Sequence, residues 1–132
     1  MALMRYREKD RTKWVGTRPG HYGEQVLLYN STNNNTLTIY TVPGGKRFSL
    51  VSYFCSVRGV ALGRVYCQIC NSVGAGKQLL YQAESVAGTI IQPLACSFTY
   101  PVEMLPTETV KITSLVANLF IYCGIHGWIE DA

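Results

Sequence analysis

The fold is decided by residues 36–57, which read TLTIYTVPGGKRFSLVSYFCSV. Two runs rich in Thr, Val, Ile, Tyr and Phe, the residue types that β-strands favour, flank the tetrapeptide at 43–46. Within that tetrapeptide, Pro43 presets φ, and the two glycines that follow it are free to adopt positive φ. The stretch therefore predicts two strands joined by a tight turn.

Strict alternation along the second run assigns its side chains to two faces of a sheet. One predicted face comprises Phe48, Leu50, Ser52 and Phe54. The other comprises Arg47, Ser49, Val51, Tyr53, Cys55 and Val57. Similar short runs, separated by turns rich in Gly, Pro and Asn, continue to the end of the chain, and no window shows an apolar stripe of helical period. The sequence predicts an all-β antiparallel sandwich, jelly-roll-like, with about eight strands.

The composition fits a single globular domain. Hydrophobic residues make up 48% of the chain and charged residues only 15%, which argues against disorder. No apolar run approaches the roughly 18 residues of a membrane span, so no membrane association is expected. Residues 16–24 are rich in Gly and contain Pro19, which indicates a hinge. We therefore expect an extended basic arm with its hinge at 1–24 and a β-sandwich domain at 25–132.

The arm carries the whole net charge of +4, because residues 1–18 hold six basic and two acidic side chains and the remainder is balanced. Five cations recur at every second position from Arg5 to Lys13, so an extended chain would place them on one face. This pattern favours an arm that contacts an acidic surface, although a solvated tail is the alternative. The predicted partner-binding residues are Arg5, Tyr6, Arg7, Lys9, Arg11, Lys13, Trp14 and Arg18.

The chain contains five cysteines and two histidines but no arrangement typical of an enzyme or a metal site. Cys67 and Cys70 have the spacing of half a zinc site, yet residues three apart on a strand point to opposite faces. No secretory signal is visible, so all five cysteines are predicted to be reduced core residues. We expect no catalytic residues, no metal and no cofactor.

Tyrosines and two-sided strands indicate contacts with other molecules. Tyr40, Tyr53, Tyr66 and Tyr81 are candidate exposed aromatics for sugar stacking or a subunit interface, and cross-strand packing within the sandwich is the alternative. The runs at 110–116 and 119–125 are apolar on both faces. Since a two-layer sandwich buries one face of each strand, the second face is predicted to meet another copy of the chain.

Three segments, at 38–50, 101–114 and 121–125, resemble small jelly-roll or β-sandwich structural proteins of tailed phages. The first resembles their strand, Val-Pro-x-Gly-Lys, strand opening, and the last, Ile-Tyr-Cys-Gly-Ile, resembles their closing strand. The middle segment departs from the usual pattern, because Thr107 and Glu108 follow Pro106 where the group has Gly.

The resemblance implies a virion component, of the capsid decoration (cement) or head-fibre type. The expected function is a non-enzymatic decoration protein, a homotrimer, whose arm binds the major capsid protein on the outside of a virion assembled in the host cytoplasm. One alternative is a glycan- or receptor-binding adhesion module of a head fibre or tail. Another is a shell-forming coat protein whose arm contacts nucleic acid, which the few arm cations make the weaker expectation.

Overall fold

The computed structural model describes residues 23–59, 61–85 and 94–132, so residues 1–22 of the predicted arm and hinge (1–24) lie outside the described residues. Within these ranges no helix is long and apolar enough to cross a membrane. The strands are β1 (Glu24–Asn33), β2 (Asn35–Thr41), β3 (Lys46–Gly59), β4 (Gly63–Cys70), β5 (Gly76–Ser85), β6 (Leu94–Met104), β7 (Thr109–Ser114) and β8 (Leu119–Asp131).

The strands form two four-stranded antiparallel sheets, in the orders β1-β8-β3-β6 and β2-β7-β4-β5. The first strand pairs with the eighth, the second with the seventh, the third with the sixth and the fourth with the fifth. Such nested pairs arise when one long hairpin folds over on itself, which is the jelly-roll arrangement. The all-β sandwich predicted from the sequence is confirmed.

A single hydrophobic core lies between the two sheets. Phe48, Leu50 and Ile121 enter it from the first sheet, and Ile69 and Ile112 enter it from the second. All five are almost fully buried, and each such side chain contributes about 1.5–3 kcal/mol relative to an exposed position. The predicted turn is also present: the N–H of Lys46 donates to the carbonyl of Pro43 at 3.2 Å.

A β-bulge in β3 overturns the strict alternation expected for this strand. Leu50 lies opposite Gly127 of β8 and Ser52 lies opposite His126, so Val51 is the extra residue. Before the bulge Phe48 and Leu50 face the core, and after it the parity of inward positions changes. The predicted faces of residues 47–57 are therefore wrong beyond position 51. Tyr53 and Cys55 point into the core, and Phe54 points outward.

The bulge also corrects the prediction that all cysteines are reduced. Cys55 turns inward and forms a disulfide with Cys123, its direct partner on β8, at a Cα–Cα distance of 4.4 Å. That distance is typical of a non-hydrogen-bonded antiparallel pair, whose Cβ separation suits a disulfide. Cys67 and Cys70 remain free and buried, and Cys96 is free and half-buried.

The two strands that were predicted to be apolar on both faces differ from each other. On β8, Phe120 and Tyr122 point away from the core and remain half-buried. On β7, the outward positions include Lys111 and Thr113, whereas Val110 and Ile112 point inward. The expectation of an apolar outer face thus holds for β8 and is wrong for β7.

Candidate docking surface on the outer face of the first sheet

The outer face of the β1-β8-β3-β6 sheet carries a cluster of aromatic and apolar side chains, with serine, asparagine and glutamine side chains in the same rows. Tyr29, Gly124 and Phe54 lie side by side on β1, β8 and β3, and the neighbouring rows share their orientation. We call this surface the aromatic face. It comprises Leu27, Tyr29, Phe54, Phe120, Tyr122, His126 and Trp128.

Stacked rings connect three strands across this surface. The ring centroids of Phe54 and Tyr29 are 5.7 Å apart, and their planes differ by 14°. Tyr29 continues to Tyr122 at 6.3 Å, and Tyr122 continues to Phe120 at the same centroid distance. These separations lie in the range that aromatic pairs prefer. The four rings form a continuous row, although Phe54 and Tyr29 belong to strands that are not direct neighbours.

Gly124 makes the meeting of Phe54 and Tyr29 possible. It occupies the strand between them, and a Cβ atom at this position would overlap the Phe54 ring at Cε1. Position 124 therefore requires glycine because the space that a side chain would fill is occupied by the Phe54 ring. The absence of a side chain at Gly124 allows the two flanking rings to close over β8.

Replacement of Gly124 by Ala is expected to lower the free energy of unfolding by about 1–2 kcal/mol, because the added methyl group displaces the Phe54 ring. Urea denaturation measures this change. In a Phe54→Ala background the same substitution should have little effect, since nothing remains to be displaced. An equal loss in both backgrounds would show that the ring contact does not explain the glycine.

Three members of the aromatic face are exposed and the other four are half-buried. Leu27 is 74% exposed, Tyr29 58% and Phe54 42%, and none of its seven members is Asp, Glu, Lys or Arg. Among the described residues, the charged side chains on this outer face lie at its two ends. Arg58 lies opposite Phe120 at one end, and at the other Arg47 pairs with Glu103 and Glu130, each at 3.1 Å. Contiguous exposed apolar patches with a polar rim mark interaction sites.

The outer face of the second sheet has a different character. Arg64 and Glu84 form an ion pair across β4 and β5 at 3.0 Å. Tyr66 lies between Gln82 and Thr113, and Lys111 occupies the next outward position on β7. Its polar and charged side chains are typical of a surface that faces water. The two outer faces of the sandwich therefore differ in polarity, and the features typical of an interaction site lie on the first sheet.

A shallow depression of about 230 Å³ opens beside the Phe54 ring. Leu27, Ser52, Ser97 and His126 line it with that ring, and the side-chain amide of Gln25 donates a hydrogen bond to His126 Nε2 at 2.8 Å. Ligand pockets usually measure about 300–1,000 Å³. The depression therefore suits one inserted side chain of a docked partner.

The structure separates the four tyrosines that were proposed as exposed aromatics. Tyr53 and Tyr81 are buried, so their predicted exposure is wrong. The bulge at Val51 turns Tyr53 inward, and an extra residue in β5, Leu80, turns Tyr81 inward. Tyr53 Oη donates a hydrogen bond to the carbonyl of Leu80 at 2.5 Å, and burial followed by neighbouring Cys96 raises the pKa of Tyr53 to about 12.

The other two tyrosines are half-buried and have different surroundings. Tyr40 packs its ring against Phe48, at a centroid distance of 4.9 Å, and burial followed by Glu24 raises its pKa. Tyr66 belongs to the polar outer face of the second sheet. The arm residues proposed for partner binding, Arg5, Tyr6, Arg7, Lys9, Arg11, Lys13, Trp14 and Arg18, lie outside the described residues.

Sequence reasoning predicted a contact surface on the second face of the run at 119–125 but did not name the members of the aromatic face, although part of the signal was available. In the last strand, Phe120, Tyr122 and Trp128 occupy even positions, while Ile121 and Ile125 occupy odd ones. This period of two assigns rings to one face and aliphatic side chains to the other. Phe54 could not be placed in the same way, because its orientation depends on the bulge in β3.

Three cysteine sulfurs also lie close together, inside the core. The Sγ atoms of Cys55, Cys67 and Cys123 are all within 4.8 Å of one another. Two of them are joined in the disulfide, and burial followed by nearby Cys70 raises the pKa of the Cys67 thiol to about 12. Since metal binding and thiol exchange both require a thiolate, this arrangement suits a structural clamp.

Thiol labelling of the native protein should modify Cys96 and leave Cys67 and Cys70 unmodified, because the last two are fully buried. Iodoacetamide followed by peptide mass spectrometry measures the pattern. Unfolding without a reductant should expose all three free thiols, and adding a reductant should raise the number of modified cysteines to five. Five modified cysteines without reduction would contradict the disulfide.

Comparison with known proteins gives little guidance. No family model matches the chain, and no curated protein matches it. A chain from the structure titled "Bacillus endospore appendages form a novel family of disulfide-linked pili" is similar over 81% of this chain and 86% of its own length, with a TM-score of 0.39 and 14% sequence identity. A likeness this distant supports no statement about function. The similarity to tailed-phage proteins noted in the sequence remains a prediction.

Proposed function

We propose that the protein is a non-enzymatic structural subunit that decorates the outer surface of a phage capsid and docks there through its aromatic face. The observation that carries the proposal is the row of stacked rings on one side of the sandwich, two exposed and two half-buried, with the charges of the described residues at its ends. Interface cores are enriched in aromatic residues and depleted of charges, whereas their rims are polar.

The energetics favour the aromatic face as the main source of affinity. Tyr29 and Phe54 stack on each other, so a partner meets a rigid pair of large side chains, which is typical of interface hot spots. The cations of the arm, residues 1–18, add ion pairs with acidic groups of the shell, and each exposed pair contributes only about 0–1 kcal/mol. The arm therefore orients and steers the subunit, while the face holds it.

The disulfide supports a location outside the reducing cytoplasm once the particle is released. Disulfides persist at virion and cell surfaces and are rare in cytosolic proteins. Cys55 and Cys123 join β3 to β8 directly beneath the aromatic face, next to Phe54 and Gly124 in the chain. A covalent link at this place fixes the two strands that carry most of the rings.

Glycan binding is the second candidate, and the ring geometry counts against it. A sugar stacks on an open aromatic face, but Tyr29 has Phe54 on one side and Tyr122 on the other. A glycan array with the full chain separates the two functions. Binding of one sugar class that is lost on Tyr29→Ala would favour the adhesion module over the decoration protein.

Immunogold labelling tests the proposal on intact particles. An antibody against the recombinant chain should label the outer surface of tailed-phage particles released by cells that carry the gene. Particles that lack the label, with the chain recovered only from the soluble fraction, would contradict the proposed function. Labelling restricted to tail fibres would support the adhesion module instead.

A further inference from the structure

The four edge strands of the sandwich are protected to different degrees. β6 contains Pro101, β5 contains Lys77 and two register shifts, and β2 has a shift at Ile39. Such features stop an edge from pairing with another chain. β1 has none of them: its ten residues pair with β8 without a shift, and Glu24 at its first position is its single charged residue.

Within the part of the chain that the structure describes, no strand pairs with the outer edge of β1, and this edge presents its hydrogen-bonding groups in a regular pattern. Cys55 and Cys123 are a non-hydrogen-bonded pair, so Cys123 exchanges hydrogen bonds with Asn30 on its other side. By alternation, Leu28 also bonds to β8, whereas Leu27 and Tyr29 direct their N–H and C=O groups toward the open edge. These groups form a template for one more antiparallel strand.

We propose that this edge binds a second copy of the chain, with β1 paired antiparallel to β1 of that copy across a two-fold axis. The two first sheets then join into one eight-stranded sheet. Residues that lie directly opposite each other in the joined sheet must point to the same side of it. The two-fold axis must therefore pass through a residue position of β1 and cannot pass between two residues. The axis at Leu28 is favoured, because it places Leu27 of each copy opposite Tyr29 of the other. This register therefore forms two cross-strand pairs between apolar side chains.

The charges on β1 allow this occupant, and the length of the contact sets the expected affinity. In the favoured register Glu24 lies opposite Thr32 of the second copy, so no like charges meet. The Leu27–Tyr29 pairs extend the row of rings, and the aromatic faces of the two copies become one surface. Nine paired residues cover about 30 Å of edge. A single strand pair of this length is a smaller contact than a standard interface, which buries roughly 800 Å² per partner. We therefore expect a reversible dimer with Kd in roughly the micromolar range.

Cysteine cross-linking tests the register. Leu28→Cys in a Cys96→Ala background should form an intermolecular disulfide under mild oxidation, because the two Leu28 residues would be a non-hydrogen-bonded pair with the geometry of Cys55 and Cys123. Leu27→Cys in the same background is the matched control and should cross-link at least tenfold more slowly, since its counterpart lies opposite Tyr29. Equal rates for the two variants would overturn the register.

Sedimentation velocity of the full chain, from about 1 to 200 µM, tests the association itself. The unmodified chain should shift from monomer to dimer with rising concentration. Leu27→Lys should raise the Kd at least tenfold, whereas Leu79→Lys, the same change at an exposed leucine of the second sheet, should leave it unchanged. A chain that stays monomeric throughout, or a trimer that is insensitive to Leu27→Lys, would overturn the pairing. This result is independent of particle docking, which the aromatic face is proposed to provide.

Discussion

Replacing both Cys55 and Cys123 by Ala should lower the free energy of unfolding by about 4 kcal/mol. The disulfide closes a segment with a sequence separation of 68 residues, and in the unfolded chain that closure removes much conformational freedom. Small domains are stable by only about 5–15 kcal/mol, so the loss is a large fraction of the total. The bond also ties the last strand to the centre of its sheet.

Urea denaturation with and without a reductant measures this effect. Reduction should shift the unfolding midpoint of the unmodified chain and leave the midpoint of the double variant unchanged. Cys96→Ala is the matched control, because Cys96 is free and half-buried, and it should unfold with the unmodified chain. A double variant as stable as the unmodified protein would show that the disulfide contributes nothing to the fold.

Replacing both Tyr29 and Phe54 by Ser should weaken particle binding by roughly 100- to 1,000-fold, since removal of a hot-spot side chain costs about 2 kcal/mol or more. Both side chains are substantially exposed, so the sandwich should remain folded. Co-sedimentation of the purified chain with particles measures the affinity. Circular dichroism and the urea midpoint confirm that the variant is folded.

Controls on the opposite face make this result specific. Tyr66→Ser and Leu79→Ser change side chains on the second sheet and should leave particle binding within about twofold. Deleting residues 1–18 should leave the body folded and weaken particle binding less than the loss of Tyr29 and Phe54 does, because only exposed ion pairs are removed. Equal binding by the truncated chain would remove the arm from the proposed interface. Particle binding by the Tyr29 and Phe54 double variant that equals that of the unmodified chain would show that the aromatic face is not part of the interface.

Much of the architecture follows from local sequence features. Alternation and turn residues predicted the strands, and the turn at Pro43 is where the sequence places it, with Gly45 at a φ of 77°. The two-sheet sandwich follows because each strand must cover one apolar face. What local patterns could not give is the extra residue at Val51, which depends on how β3 pairs with β8 and β6.

That one residue explains most of the differences at the candidate site. Beyond it, Tyr53 and Cys55 face the core and Phe54 faces outward, the reverse of the alternation predicted from the sequence. The inward turn of Cys55 brings it opposite Cys123, a contact that spacing along the chain does not reveal. The aromatic positions of β8 follow a period of two and could be assigned to one face, but their partners on β1 and β3 required the strand order.

Cryo-electron microscopy of particles saturated with the chain tests the central claim most directly, because it shows which surface meets the shell. The account predicts that Tyr29, Phe54 and Tyr122 lie against the shell and that the Arg64–Glu84 side of the sandwich faces solvent. A bound subunit whose aromatic face is open to solvent, with the second sheet against the shell, would contradict it.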